Sequence, residues 1–394
     1  MPPDDCRAAL PTVKQSAEAK NTIENKRDFV ARMEKQTVKW NNVFSFAGAF
    51  VALLIGSGFA TGQEVMQYFV SYGFWGLAGA VVVLVLFLYV GTEFMAVGQK
   101  EKFEKGNDIY IYYGGKYIGR FYDYFSVVFL FMSYFIMISG AGSTIEQHYG
   151  VQKDIGCGIM AVCVAFTVIL GLGRIVQIIG KIGPLKAALF ITIGLYGIIY
   201  HFGNITEAEK IIPDLGLLKA SSNWFIAALS YVGFCMLWLG AFLASLGKES
   251  NSRKEAMLGG ACGAVMFCVA LVIVMFGLMS VIRQVAGVQI PSLFLAQAMH
   301  PAVATAFSII IVVGVYAAAV PLLWTVVARL AKHGTKRYTA ITFGLAAAGA
   351  LIAMVIPFSK LVNIVYVLNG YVGIFLLLLM FVKKFQERKA KSLR

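Results

Sequence analysis

The sequence predicts an all-α polytopic membrane protein of ten transmembrane helices in a 5+5 inverted repeat, with the first and sixth helices broken. Three observations predict it. Hydrophobic residues make up 59% of the 394-residue chain against 14% charged, a balance foreign to a water-soluble domain. Apolar runs of about 20 residues, the length that crosses a bilayer as a helix, recur along the chain. The polar stretch from His201 to Asn223 leaves five runs on each side, and an odd number makes the second half enter the membrane from the opposite face.

Taken in order, residues 1–40 read as a cytosolic tail, with Lys14, Lys20, Lys26, Arg27, Arg32, Lys35 and Lys39 mixed with acids. Its later part, Thr22 to Lys39, is either an interfacial helix or unstructured. The first apolar run begins after this tail and further runs follow, so it is not expected to be a cleaved leader. The expected spans are Asn42 to Val70, Phe74 to Val97, Tyr122 to Gly142, Ile155 to Leu172 and Ile178 to Tyr200 in the first half. In the second half they are Trp224 to Leu246, Ala256 to Val281, Ala302 to Leu330, Tyr338 to Ile356 and Leu361 to Val382. The chain thus divides into a cytosolic N-terminal tail (1–40), a first five-helix repeat (41–202), an extracellular loop (203–222), a second five-helix repeat (223–382) and a basic cytosolic tail (383–394). Ile290 to Met299 is either a short helix over an outer vestibule or a surface loop.

With the amino terminus inside, 29 of the 34 Lys and Arg residues fall on the cytoplasmic side, leaving Lys153, Lys210, Lys219, Arg283 and Lys360 outside. Both termini are therefore expected in the cytoplasm, in a multi-pass protein of the cell membrane. The net charge of +14 reports topology rather than nucleic-acid binding.

Leu54-Ile55-Gly56-Ser57-Gly58-Phe59-Ala60-Thr61-Gly62-Gln63-Glu64 interrupts the first span with three glycines, two hydroxyls, an amide and a carboxylate. Backbone that leaves a helix in hydrocarbon must line a cavity or be buried, because an unpaired amide or carbonyl facing lipid costs several kcal/mol. Free amides at such a break suit a carboxylate, and free carbonyls suit a cation. The plainer reading has the glycines serving close packing, with Ser57 and Thr61 bonded back to their own helix. At helical rise, Glu64 lies about 9 Å beyond Gly58. That puts Glu64, with Gln63, in an outer vestibule, where the carboxylate would gate, accept a proton or attract a cationic group; a water-exposed carboxylate is the alternative.

In the sixth span, Ser230-Tyr231-Val232-Gly233-Phe234-Cys235 reads as a second interruption, and paired interruptions mark transport sites. Further candidate walls are Ser133, Tyr134, Trp238, Tyr316 and Asn369, each of which is singly more often a packing residue. Lys181 and Lys186 open the fifth span; both either snorkel to headgroups or, if buried beside the break, occupy a cation site and switch it by protonation. Glu93, and Asp123 with Arg120, read as interfacial positions or local ion pairs. Five of the six cysteines lie in apolar runs and read as packing residues, not disulfides. The four histidines share no helix face, and no metalloprotease, CxxC or P-loop pattern occurs. No enzyme activity, catalytic residue, metal or cofactor is expected.

Ten spans in two halves, with Gly56-Ser57-Gly58 in the first, resemble the amino acid, polyamine and organocation (APC) transporter superfamily and its LeuT-type fold. Within it, Gly56 to Glu64 resembles the GAGFASGQE phrase of the YkvI-like branch of bacterial membrane proteins. By that resemblance the amides around Gly56 to Gly58 bind a substrate carboxylate, and the sixth-span break near Tyr231 to Phe234 meets its amine. Sodium-coupled members complete a cation site with an eighth-span hydroxyl pair, where this chain reads Val313-Gly314-Val315-Tyr316-Ala317-Ala318. In some proton-coupled members a fifth-span lysine fills that site, within a pattern similar to Ile179-Gly180-Lys181-Ile182-Gly183-Pro184-Leu185; Lys181 aligns there, with Lys186 the other candidate.

The expectation is a secondary transporter moving an amino acid or related zwitterion by alternating access, coupled to protons. The alternatives are a non-transporting solute sensor on the same fold and a sodium-coupled symporter. Expected substrate-binding residues are Gly56, Ser57, Gly58, Phe59, Thr61, Ser133, Tyr231, Gly233, Phe234 and Tyr316; expected coupling or gating residues are Lys181, Lys186, Glu64 and Gln63. The expected partners are the small-molecule substrate, a proton or sodium ion and membrane lipid, with no nucleic acid.

Overall fold

The computed structural model describes residues 38–171 and 182–392. Lys181 and residues 1–37 of the N-terminal tail lie outside the described residues, as do the side chains of Ser57 and Lys186. Among the described residues all regular structure is helical. Backbone in hydrocarbon has no water to bond, and a helix satisfies its amides and carbonyls internally.

The first apolar run is divided among α1 (Trp40–Leu54), α2 (Ser57–Thr61) and α3 (Gln63–Tyr68). Then come α4 (Trp75–Glu101), α5 (Asp108–Tyr149), α6 (Lys153–Leu170), α7 (Ile182–His201) and the short α8 (Gly203–Ile211). The second half holds α9 (Trp224–Glu249), α10 (Arg253–Met279), α11 (Ile282–Val285), α12 (Pro291–Met299), α13 (Pro301–Leu330), α14 (Lys336–Val355) and α15 (Phe358–Ser392). Eight of these, α4, α5, α6, α9, α10, α13, α14 and α15, are long and apolar enough to cross a membrane. A ninth is added if the pair Ala187–His201 and Gly203–Leu215, bent by 93°, is one span. The chain is a polytopic helical membrane protein. Local chemistry sets several starts: Asn223 Oδ1 accepts from the Phe225 and Ile226 amides, Ser252 Oγ from Glu255, and Thr335 Oγ1 from Tyr338.

Four elements differ from the sequence reading. The sixth span is not broken, since α9 runs unbroken from Trp224 to Glu249. Its small residues serve contact instead: a Cβ on Gly233 would overlap the Gly370 carbonyl of α15, and one on Gly373 would overlap the Gly233 carbonyl. Glycine at this crossing lets two backbones touch, as in small-residue membrane packing. The third span lies in α5, in which two helical stretches meet at a non-helical Gly115 (φ 66°), so the segment after Lys100 is helical from Asp108. The stretch 203–222 contains α8 and a 3-10 turn at Ile212–Leu215. The last helix continues through the expected tail to Ser392.

Packing groups the helices into two sets. In one, α4 lies against α9 and α10, and α10 against α1; in the other, α5 lies against α13, α6 and α14, and α14 against α6. The α15 helix joins α9 and α5, and α7 joins α10. The broken first span sits where the sets meet, because α1 lies against α10 and α9 of one set while α2 touches α5 and α13 of the other.

Candidate functional site

The first span is interrupted twice. After Leu54 the chain leaves the helix at Ile55 (ψ 61°), and the Gly56 amide turns back to the Leu54 carbonyl at 2.7 Å. The five-residue α2 then ends at Gly62, whose φ of 86° is a left-handed conformation that glycine adopts without strain. The break is held by α12, expected as helix or loop and found as helix: Ser292 Oγ donates to the Ala60 carbonyl at 2.7 Å.

The second interruption relocates Glu64. The straight-helix count puts it in an outer vestibule, but the turn at Gly62 brings its side chain back against α2: a Cβ on Gly58 would overlap Glu64 Oε1 and lie 2.8 Å from its Cδ. Glu64 is 4% exposed, and no basic side chain pairs with it among the described residues. Tyr231 Oη of α9 faces its Oε2 at 3.5 Å. Around it, Tyr68 and Tyr231 meet edge to face at 5.3 Å, Tyr231 and Phe234 at 5.1 Å, and Phe234 stacks on Tyr366 at 4.5 Å.

A narrow void of about 20 Å³ touches Glu64, Gly56, Met137, Phe234, Cys235 and Tyr366. It adjoins a cavity of about 460 Å³ between α1, α5, α9 and α13; Leu53, Gly56, Met137 and Trp238 line both. The cavity reaches Asn107 and Arg329 at the end of the bundle that also holds the C-terminal end of α4 and the start of α10. There Arg329 spans Asp123 with both guanidinium nitrogens, at 2.6 and 3.4 Å, and Asn107 donates to the same carboxylate at 2.8 Å. The opposite end is tied by amides. Gln63 Nε2 donates to the carbonyls of Val288 (2.7 Å) and Gln289 (3.1 Å), and Gln67 Nε2 to Gln63 Oε1 (3.0 Å) and the Ser359 carbonyl (2.9 Å). Asn363 Nδ2 reaches Gln67 Oε1 at 3.1 Å, so α3, the 285–290 segment and the start of α15 are laced together.

Of the residues read from sequence, Gly56, Gly58, Glu64, Tyr231 and Phe234 come together, with Trp238 at the cavity. Others do not. Gln63 belongs to the amide network, apart from Glu64. Thr61 Oγ1 donates back to the Gly58 carbonyl at 2.8 Å, and Phe59 packs against Phe190 and Phe267 in the core. Gly233 faces α15, and Tyr316 bonds Thr167 of α6 at 2.5 Å, outside the residues lining the cavity. Ser133 and Asn369 are fully buried off the cavity, with Ser133 Oγ and Asn369 Oδ1 unpartnered. Glu93 pairs with Lys384, and Asp123 with Arg329 rather than Arg120. Sequence reasoning missed Tyr68, Met137 and Tyr366, whose apolar and aromatic character inside a span gives no local sign of a cavity.

A polytopic helical membrane protein with a buried carboxylate at a doubly broken span, without an ion pair among the described residues, is the class these features define. No family model matches the sequence. The chain is similar to the uncharacterized membrane protein YkvI of Bacillus subtilis (strain 168), 25% identical over 231 residues, 57% of this chain and 63% of that one. It is also similar to the uncharacterized protein YyaD of the same organism, 24% identical over 214 residues, 54% of this chain and 59% of that one. The matched stretch spans about six tenths of the length of each relative. Among solved structures, one similar chain is an Eremococcus coleocola manganese transporter in complex with an aromatic bis-isothiourea substituted compound. The TM-score is 0.42 at 15% identity, over 89% of this chain and 75% of that one.

Proposed function

We propose that this protein is a secondary transporter of a small solute carrying an ammonium group, an amino acid or related zwitterion, moved by alternating access and coupled to protons. The observation that carries the proposal is Glu64. A carboxylate buried among aromatic rings is costly unless a positive charge completes it, and the described residues form no ion pair with it. The solute's ammonium or a proton brings that charge, with the rings of Tyr231 and Phe234 adding cation–π attraction.

This reading replaces the expected sixth-span partner. Because α9 is an unbroken helix, its carbonyls there are engaged and leave the amine role to Glu64. Within the Gly56 to Gly58 backbone, which the APC resemblance assigns to the solute's carboxylate, the Ser57 and Gly58 amides at the start of α2 take that role, because the Gly56 amide is bonded to the Leu54 carbonyl. The separation of α1, α4, α9 and α10 from α5, α6, α13 and α14 supports a ten-span arrangement of LeuT type, in which one set rocks against the other. The basic residues near Lys100, Arg253 and Lys384 support placing the open end of the cavity in the cytoplasm, with both termini. Tyr316, bonded to Thr167, offers no eighth-span hydroxyl to a sodium site, which favours protons; Lys181 is the proposed switch.

Uptake of labelled amino acids and simple amines into proteoliposomes, with and without a pH gradient, tests the proposal. An accepted solute is expected to lose roughly 100-fold in apparent affinity in Glu64→Gln, the cost of a lost charge-assisted contact. Equal uptake by the folded variant and the wild type overturns it.

A further inference from the structure

A second cavity, of about 400 Å³, lies at the inner ends of α4, α10 and α15 and is independent of the site at Glu64. Four cations line it, Lys100, Arg253, Lys384 and Arg388, with the carboxylates of Glu93 and Glu387. Local pairing disposes of most of this charge. Lys384 Nζ meets Glu93 Oε2 at 2.5 Å, Lys100 meets Glu101 at 2.6 Å, and Glu387 accepts from Tyr112 Oη at 2.8 Å. Arg253 and Arg388 remain without an ion pair among the described residues.

Two guanidinium forks on one cavity, from different helices, match the oxygens of a phosphate ester better than a point cation does. The surroundings specify the source of that phosphate. Phe381, Phe385 and Arg388 are spaced i, i+4 and i+7 on α15 and share one stripe of the helix. Phe381 is 43% and Phe385 71% exposed, so an apolar strip leads directly to the guanidinium. Phe381 is held in place by stacking on Tyr89 at 4.7 Å. An apolar strip running into paired arginines where the hydrocarbon ends is the outline of a phospholipid: acyl chain along the rings, phosphate at the forks. We infer that Arg253 and Arg388 clamp the phosphate of an anionic phospholipid, which ties the end of α15 to the start of α10.

The test uses the purified, delipidated full chain in detergent, with thermal unfolding read after adding phosphatidylglycerol, phosphatidylcholine or soluble glycerol phosphate. Phosphatidylglycerol is expected to raise the midpoint by roughly 5 °C at saturation, and phosphatidylcholine to do far less. The Arg253→Gln/Arg388→Gln double variant is expected to unfold at the wild-type midpoint without lipid and to lose the rise. The wild type alone gives a second readout, because a phosphate held by exposed guanidiniums loosens with salt and the rise should shrink as salt is added. Equal rises with both lipids, an unchanged rise in the double variant, or a rise that is indifferent to salt overturns the inference. A matching rise with glycerol phosphate alone overturns the lipid source and reassigns the forks to a soluble phosphate ester.

Discussion

Replacing Gly58 by alanine separates a binding role for the break from a packing role. The new Cβ would overlap Glu64 Oε1 and sit 2.8 Å from Cδ and 3.0 Å from Cγ. Its nearest neighbours are therefore the end of one flexible side chain and not backbone. To regain ordinary contact at 3.4 Å the carboxyl carbon retreats about 0.6 Å, and the oxygen further, away from Gly58. Turning that side chain off its rotamer costs about 0.5–1.5 kcal/mol. Alanine in place of glycine inside α2 returns about 0.5–1 kcal/mol of helix stability. The net change in folding is thus expected within about 1 kcal/mol. Function responds differently: a displaced carboxylate forfeits about 2–3 kcal/mol of charge-assisted contact with the ammonium, roughly 30- to 150-fold in apparent affinity. Thermal unfolding in detergent and solute uptake in proteoliposomes, measured on one preparation, check both numbers. A variant that transports normally would refute the placement of the substrate at Glu64, and one that unfolds well below the wild type would show that Gly58 serves packing.

Three further outcomes are expected. Gly233→Ala places a methyl group against the Gly370 carbonyl and 2.9 Å from the Ile374 amide, both backbone, so α9 and α15 must part; a loss of about 1–3 kcal/mol is expected as a lowered unfolding midpoint. Glu255→Ala removes a carboxylate that accepts from the Lys39 amide (2.8 Å), Asn42 Nδ2 (3.0 Å) and the Asn251 amide (3.1 Å), pinning the start of α1 to α10. It is expected to cost about 3 kcal/mol, with Glu255→Gln milder; equal midpoints for the alanine variant and the wild type would deny the pin. Lys181→Ala is expected to abolish pH-driven uptake in a folded protein, and coupling that persists removes Lys181 as the switch.

Much of the architecture was open to sequence reasoning because hydrocarbon is a strict solvent: long apolar helices and their approximate ends follow from composition and spacing. The break at Gly56 was also readable, since close packing explains the glycines and back-bonded hydroxyls of that insert but not the amide and carboxylate of Gln63 and Glu64. The same reasoning failed at Ser230 to Cys235. Glycine beside small polar residues looks alike whether a helix unwinds or two helices touch, and only Gly370 and Gly373, over 130 positions away, distinguish the cases. Asp123 likewise had a basic neighbour in sequence, Arg120, yet pairs with Arg329, which packing of α13 on α5 brings near.

By itself, then, the sequence determined the solvent of this protein, its helical class and the position of the first interruption, all consequences of local polarity in an apolar chain. The tertiary structure decided where Glu64 points. One left-handed residue at Gly62 turns α3 out of line with α2, and a carboxylate that a straight helix would carry outward comes to lie against Gly58, Tyr231 and the void beside Gly56. A direction set by a single φ angle and by the packing of α9 and α12 around it is absent from any linear pattern of residues.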